Sequence, residues 1–255
     1  MPIMLHYKVY NGGKKEWIVF VHGISGDMST WDNHIDIFKP HYNILLLDLP
    51  WHGKSKMKRR LSRQTLNKEI KEVLDDVGIK RAHFIGLSLG SIVISQFLLR
   101  YPRYVNKAIF AASAIQASTF CNIIVRIAQP LRYILPYTLI CNLAIALVVP
   151  RDKTNIGQKI FSDGFKRMGR DRIIEWVSYL SVVLDGKNTI RKLKKLNKEC
   201  YFISGEYDSF FLDGAVRSAE VLSNGNIEIM EKCTHVCNAD NVDLFNNKVM
   251  QFLTT

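Results

Sequence analysis

A serine between two glycines is the strongest chemical signal in this sequence. Gly86-Leu87-Ser88-Leu89-Gly90 follows the short apolar run 82–85 and precedes a segment with helical spacing. Such a strand-to-helix turn is sharp and strained, and flanking glycines let strand and helix approach closely, which exposes the serine hydroxyl at the sheet edge. The helix start adds free N–H groups and a positive dipole end beneath a reacting carbonyl. The pattern predicts Ser88 as a nucleophile.

A serine hydroxyl needs a base to remove its proton, and at this kind of turn the acid and then the histidine follow the serine along the chain. Asp208 comes just after the apolar run 200–204, and His235 comes just after the run 227–230. We therefore predict His235 as the general base and Asp208 as the acid that orients it. The rival acids are Asp48, Glu206, Asp213 and Asp240.

Five motifs together resemble the α/β-hydrolase family. They are VHGISGD at 21–27, DLPWHGKS at 48–55, GLSLG at 86–90, GEYD at 205–208 and the histidine at 235. The resemblance covers the chain except for the segment 115–187. It implies a serine hydrolase, similar to carboxylesterases, with a helical cap.

The resemblance also implies an oxyanion hole made by two backbone N–H groups, those of Ile24 and Leu89, with His22 bracing the loop. The family more often has glycine where Trp51 stands here. Trp51 is expected to pack against the cap or line the cleft entrance, and a plain packing role is equally open. His52 and His83 are expected to be structural.

The segment Cys233-Thr234-His235-Val236-Cys237 offers thiolate and imidazole ligands, so we considered zinc. It lacks the usual C-x₂-C unit and supplies only three ligands, one of which is the predicted base. We expect no metal and no organic cofactor.

The elements that must position these residues alternate between strands and helices. Runs 17–21, 43–47, 83–87, 107–111, 200–204 and 227–230 predict strands, and several are apolar throughout, as in strands buried on both faces of a parallel sheet. Segments 30–38, 65–77, 89–100, 213–222 and 241–253 have helical spacing, and Gly78 is a natural C-terminal cap. This predicts the α/β class: a mostly parallel central sheet flanked by helices.

The segment 115–187 differs because it is helical, apolar and aromatic, with several basic residues. We interpret it as a helical cap inserted into a core domain made of residues 1–114 and 188–255. Apolar residues of the cap, such as Phe161 and Trp176, are expected to select the substrate.

The net charge of +12 makes the surface attractive to anions. Basic residues cluster in 54–71, and the cap adds Arg126, Arg132, Lys166, Arg167 and Arg170. A solvated surface is one interpretation, and docking of an acidic carrier protein or an anionic membrane surface is another. Nucleic acid is not expected, because no recognised binding motif accompanies the charge.

The sequence also favours a cytoplasmic location. Its five scattered cysteines form no disulfide framework, and the N-terminal residues lack the features of a secretory signal. No apolar stretch is long enough to predict a membrane-spanning helix.

These observations predict a carboxylic-ester hydrolase that acts on a small-molecule ester with an apolar acyl or alkyl group. The alternatives are a carbon–carbon bond hydrolase or lyase of the same fold, and a hydrolase of carrier-linked esters or thioesters. A non-catalytic binding member is a further alternative, against which the complete triad argues. A haloalkane or epoxide hydrolase would need an aspartate at position 88.

Overall fold

One mostly parallel sheet organises the chain. The computed structural model describes residues 4–56, 60–116, 123, 126–127, 130–131, 134–149, 155–183 and 185–255. Within them, seven strands form a sheet in the order β1-β3-β2-β4-β5-β6-β7. The strands are β1 (Tyr7–Tyr10), β2 (Trp17–Val21), β3 (Asn43–Leu47), β4 (Ala82–Leu87), β5 (Val105–Ala111), β6 (Cys200–Gly205) and β7 (Gly225–Met230). Of these seven described strands, only β1 pairs antiparallel, with β3. The predicted fold class is confirmed.

Helices cover both faces of this sheet. They are α1 (Asp32–Phe38), α2 (Arg63–Val77), α3 (Leu89–Arg100), α4 (Tyr137–Val148), α5 (Asn155–Met168), α6 (Arg170–Val183), α7 (Gly186–Lys194), α8 (Leu212–Val221), α9 (Cys237–Asp240) and α10 (Val242–Thr254). The predicted helix at 89–100 is confirmed as α3, and Gly78 ends α2 with a φ of 82° as predicted. The predicted strands and the other predicted core helices agree with the structure within about two residues.

Alternate side chains of each central strand enter two separate cores. In β2, Ile18 and Phe20 pack with α1 and α10, whereas Val19 and Val21 pack with α2 and α3. Helices cover both faces of the sheet, so a site cannot form on either face. The loops that leave the carboxyl ends of the parallel strands are where a site can form.

The sequence patterns did not predict β1, α7 or α9. β1 is a four-residue, half-buried strand at the sheet edge, so its sequence lacks the continuous apolar pattern of the central strands. Helix α9 is a single turn directly after the loop that carries His235.

The segment predicted as a cap contains α4, α5 and α6. Helix α7 crosses the predicted boundary at residue 187 and packs on α3 of the core. The division into core and cap stays a prediction, and parts of the cap lie outside the described residues. No helix in the described part of the chain is both long and apolar enough to cross a membrane.

Candidate active site

Ser88 stands in a strained turn between β4 and α3. Its φ of 51° and ψ of −109° are unusual for any residue with a side chain. The turn requires glycine at positions 86 and 90, because there is no room for a Cβ atom at either. A Cβ atom on Gly86 would lie 2.6 Å from the carbonyl carbon of Gly90, and one on Gly90 would collide with the backbone of Val21. The sequence predicted an exposed hydroxyl, but Ser88 is only 8% exposed.

His235 joins the other two predicted residues. Its Nε2 lies 2.8 Å from Oγ of Ser88, and its Nδ1 lies 2.7 Å from Oδ2 of Asp208. The carboxylate can only accept a hydrogen bond, so Nδ1 carries the ring proton and Nε2 is left to accept the proton of the serine. All three side chains are buried. This arrangement can deprotonate a hydroxyl during attack on a carbonyl.

Neighbouring strands bring the acid and the histidine together. β6 and β7 run parallel, so the loops that follow them leave the sheet side by side. The N–H of Tyr207 donates to the carbonyl of Cys233 at 2.9 Å, which ties the two loops together. Gly205 lies so close to the backbone of Thr234 that a Cβ atom would not fit. Asp208 and His235 are therefore held in contact by their backbones.

Asp48 is not at this site and instead organises an adjacent loop. Its carboxylate accepts the N–H groups of Met28 and Lys54, each at 2.9 Å, and pairs with Nδ1 of His6 at 2.9 Å. Gly53, with a φ of 50°, leaves room for that carboxylate. Asp48 is therefore a structural residue.

The other rival acids also have partners elsewhere. Asp240 accepts the backbone N–H of Thr234 at 2.6 Å and its hydroxyl at 2.7 Å, so it braces the residue before His235. Glu206 accepts a backbone N–H from the same loop at 2.8 Å. Asp213 is exposed and pairs with Arg217. Bracing by Asp240 was not predicted, since only the folded loop brings it back to Thr234.

The predicted oxyanion donors lie beside the serine. A Cβ atom on Gly23 would lie 3.5 Å from Cβ of Ser88, so the loop that carries Ile24 passes directly against the nucleophile. Leu89 is the first residue of α3, where backbone N–H groups have no partner within the helix. Both N–H groups are therefore suitably placed to be proposed as oxyanion donors.

His22 fixes the beginning of this loop. Its Nε2 accepts the N–H of Leu49 at 2.9 Å, and its Nδ1 donates to the carbonyl of Gly23 at 2.7 Å. Burial lowers the pKa of His22, which keeps the ring neutral and able to accept at one nitrogen while donating at the other.

His52 fixes the same loop one residue beyond Ile24. Its Nε2 accepts the N–H of Ser25 at 3.3 Å, while Nδ1 donates to the carbonyl of Pro50 at 3.0 Å. Burial holds the pKa of His52 well below its usual value. The indole N–H of Trp176 in α6 donates to the same carbonyl of Pro50 at 3.1 Å. The predicted cap is thereby connected to the loop beside the serine.

The departure at Trp51 has a backbone reason. Trp51 has a φ of 61°, in the left-handed region that favours glycine. The indole is half-buried and packs against the core, which agrees with the packing interpretation.

One face of α5 lies over the site. A Cβ atom on Gly164 would collide with the carbonyl oxygen of Ser25, and one on Gly157 would lie 3.0 Å from Cγ2 of Val236. Two glycines seven residues apart therefore seat the helix against both the loop that carries Ile24 and the loop that carries His235. Their spacing is two helical turns, which is a signal present in the sequence.

Aromatic side chains form apolar walls around the histidine. The ring of Phe161, which lies between the two glycines of α5, is centred 6.3 Å from the ring of His235. The ring of Phe211 is centred 5.0 Å away. Phe211 was not predicted, because it follows the acid in a loop with no periodic pattern.

The three residues considered as zinc ligands, Cys233, His235 and Cys237, are poorly suited to bind a metal. Both ring nitrogens of His235 already have partners. Burial raises the pKa of Cys233 to about 11 and that of Cys237 further still, so both thiols are protonated at neutral pH.

Most of the described basic residues of the predicted docking surface are exposed, whereas Lys71 is half-buried and pairs with Asp75. Lys58, Arg59 and Arg132 lie outside the described residues. The exposed ones include Lys54, Lys56, Arg60, Arg63, Arg126, Lys166, Arg167 and Arg170. Of these, Arg167 pairs with Asp27 at 3.8 Å.

Comparisons with known proteins agree with this fold. The family profile described as alpha/beta hydrolase fold matches residues 16–137. A 2-hydroxy-6-oxononadienedioate/2-hydroxy-6-oxononatrienedioate hydrolase from Pseudomonas putida is 25% identical over 266 residues, covering 100% of this chain and 93% of the relative.

Two solved structures are similar over nearly the whole chain. MenH from S. aureus has a TM-score of 0.81 at 20% identity, covering 98% of each chain. An enol-lactonase from Burkholderia xenovorans LB400 has a TM-score of 0.79 at 18% identity, covering 98% of this chain and 96% of that one. Together with the sheet order, these matches show that the chain has the α/β-hydrolase fold.

Proposed function

We propose that this α/β hydrolase is a serine hydrolase that cleaves carboxylic esters through Ser88, His235 and Asp208. The observation that carries the proposal is the buried hydrogen-bonded chain from Oγ of Ser88 through the imidazole of His235 to the carboxylate of Asp208. Such a chain serves nucleophilic attack on a carbonyl, and it needs neither metal nor organic cofactor.

In the first half-reaction, Oγ of Ser88 bonds to the carbonyl carbon while Nε2 of His235 takes the hydroxyl proton. The carbonyl oxygen becomes an oxyanion, which the N–H groups of Ile24 and Leu89 stabilise. As the carbonyl re-forms, the bond to the leaving alcohol breaks and His235 gives that alcohol its proton. Asp208 stabilises the imidazolium that forms in between.

In the second half-reaction, water attacks the acyl-enzyme and His235 takes a proton from the water. Collapse of the second oxyanion breaks the bond to Oγ, and His235 returns its proton to Ser88. The products are one carboxylic acid and one alcohol, and the enzyme is restored.

The walls next to His235 favour an apolar group on the substrate. Phe161 and Phe211 flank the imidazole, and a binding pocket lined by such rings is typical of sites for apolar small molecules. This supports an ester with an apolar acyl or alkyl part as the first candidate substrate.

Carbon–carbon bond hydrolysis is the second candidate. It is favoured by the relative from Pseudomonas putida, whose name is that of a hydrolase of 2-hydroxy-6-oxononadienedioate and which matches the whole chain. The same three residues could serve that reaction, since it also passes through a carbonyl that becomes tetrahedral. At 25% identity the relative's substrate is a candidate for assay only.

The two candidates are separated by direct assay. We expect turnover of a series of p-nitrophenyl esters with an optimum in acyl chain length, which would size the pocket. Turnover of 2-hydroxy-6-oxononadienedioate with a much higher kcat/KM than any ester would replace the first candidate by the second. Covalent labelling by an activated phosphonate, lost in Ser88→Ala, tests the nucleophile independently of the substrate.

We also propose a cytoplasmic location. It is supported by the described cysteines Cys141, Cys200, Cys233 and Cys237, which are buried free thiols. Buried unpaired thiols fit a reducing compartment.

A further inference from the structure

Exposed large apolar side chains are concentrated in one part of the chain. Among the described residues, nine such side chains are exposed, and six of them lie between positions 123 and 160. These six are Ile123, Ile127, Ile134, Leu139, Leu143 and Ile160. Single exposed apolar residues are normal, but a concentration of them indicates a surface that meets something apolar.

Helix α4 shows the feature most clearly, because its exposed face is uncharged and carries two leucines beside Thr138 and Asn142. On its inner side Tyr137 donates its hydroxyl to the carbonyl of Phe165 and Cys141 is buried. On its outer side Leu139 and Leu143, one turn apart, are 42% and 51% exposed. The helix contains no charged residue. A helix whose outer face meets only water normally carries charges there.

The sequence around α4 is cationic. Residues 117–168 contain seven Lys and Arg residues and two acidic residues, Asp152 and Asp163, which gives a net charge of +5 (7 − 2). Helix α5 packs against α4 and exposes Lys159, Lys166 and Arg167. Apolar side chains beside lysines and arginines are the combination found in helices that lie in the interface of an anionic bilayer.

We propose that the outer face of α4, with the flanking cations of α5, binds peripherally to an anionic lipid bilayer. The twelve residues of α4 are about 18 Å long, too short for the roughly 30 Å of hydrocarbon, so the helix lies in the plane of the interface. Leu139 and Leu143 enter the headgroup boundary, and Lys159 and Lys166 meet the lipid phosphates. An acidic protein would match the cations but not the uncharged centre of the surface.

The test is co-sedimentation of the full chain with two kinds of vesicle, one of phosphatidylcholine and one with a third of its lipid replaced by phosphatidylglycerol. We expect the wild type to bind the anionic vesicles at least about tenfold more strongly than the neutral ones. The variant Lys159→Glu/Lys166→Glu should bind the anionic vesicles about tenfold or more weakly than the wild type does. Leu139→Ser/Leu143→Ser is expected to lose binding by a similar factor. The matched controls Ile37→Ser/Ile229→Ser and Lys15→Glu/Lys80→Glu, at exposed positions outside this surface, are expected to bind like the wild type.

Thermal unfolding of each variant checks that it is folded. Equal binding to both vesicles would overturn the proposal, because the lysines would then contribute nothing to binding. Full binding by the folded Leu139→Ser/Leu143→Ser variant would also overturn it, because the net charge alone would then explain the attraction. Polyglutamate is added as a competitor. If it displaces the protein from the vesicles and still binds Leu139→Ser/Leu143→Ser as tightly as the wild type, the surface is one for an acidic protein instead. Binding is measured without turnover, so the result is independent of the proposed hydrolysis.

Discussion

Gly164 of α5 lies against Ser25 so closely that any side chain at position 164 would collide with the carbonyl oxygen of Ser25. Ser25 follows Ile24, the proposed oxyanion donor, and its own N–H is held by His52. Helix α5 and the loop beside the nucleophile are therefore packed directly against each other. A change in the helix at this contact has to move the loop.

We predict that Gly164→Ala lowers both stability and kcat. Overpacking of this kind costs about 1–3 kcal/mol of unfolding free energy. Displacement of the loop weakens one oxyanion donor, whose complete loss would cost about 10²–10³ in rate, so we expect a fall of about tenfold or more in kcat. Urea unfolding and ester kinetics measure the two effects. Gly12→Ala is the control, since its Cβ atom would meet only Cε of Lys14, at 3.6 Å. Unchanged kcat in Gly164→Ala would disconnect the helix from catalysis.

Removal of the nucleophile or the base should abolish hydrolysis. We expect Ser88→Ala and His235→Ala to lose about 10³-fold or more in kcat, because neither attack nor proton transfer remains. Asp208→Asn should lose less, since it removes the carboxylate that fixes the imidazole tautomer and stabilises its charged form. Asp213→Asn is the matched control, as Asp213 is exposed and pairs with Arg217. More than a few per cent of wild-type activity in Ser88→Ala would show that the assignment of the nucleophile is wrong.

The site could be predicted from sequence where its signals are local. Ser88 lies in a motif with a strand before it and a helix after it, and Asp208 and His235 each follow a recognisable strand. The contact of Gly164 with Ser25 and the ring of Phe211 beside His235 join distant positions, so no short pattern carries them. The burial of Ser88 was also missed, because a local motif does not report what packs over it. The choice between Asp208 and its rivals required the distances.

Stability is predicted to fall as the pH is lowered from about 6.5. Burial lowers the pKa values of His22, His34, His52 and His83 in the folded protein below the ordinary value of 6.5. Below about pH 6.5 the unfolded chain takes up protons at these positions before the folded chain does. Proton uptake therefore stabilises the unfolded state relative to the folded state. Each such histidine contributes up to about 1.4 kcal/mol per pH unit until its folded pKa is reached.

Replacement of His52 isolates one part of this slope. We expect the unfolding free energy of His52→Gln to depend less steeply on pH than that of the wild type between about pH 6.5 and about pH 5, a range that starts at the ordinary histidine pKa of about 6.5. Urea midpoints measured across this range follow the change. His41→Gln, which changes an exposed histidine, is the control and should keep the wild-type slope. An unchanged slope in His52→Gln would mean that His52 takes up its proton equally in both states.

Phe161 should influence which ester is preferred more than how reactive Ser88 is. Its ring lies beside His235 on the inner face of α5, so Phe161→Leu changes the shape of the apolar wall while keeping the position filled. We expect a shift in the preferred acyl length and a raised KM, with the rate of labelling by a small phosphonate nearly unchanged. Ile160→Leu, on the outer face of the same helix, should change neither. Equal losses with ester and phosphonate would show that Phe161 supports the fold of the site instead.

Trp176 was expected from the sequence to select the substrate, but it is fully buried, and we predict that it holds the proposed oxyanion loop instead. Its indole N–H donates to the carbonyl of Pro50, which also accepts from His52, and its ring is centred 5.6 Å from that of His52. Trp176→Phe keeps an aromatic ring but removes the donor, which leaves the buried carbonyl with one partner fewer at a cost of about 1–3 kcal/mol. Because His52 in turn holds the N–H of Ser25, we expect kcat to fall several-fold while KM for a short ester changes little. Trp17→Phe, in the half-buried first position of β2, is the control for loss of an indole as such. A raised KM with unchanged kcat would instead place Trp176 in substrate binding, with the oxyanion loop held by the two histidines alone.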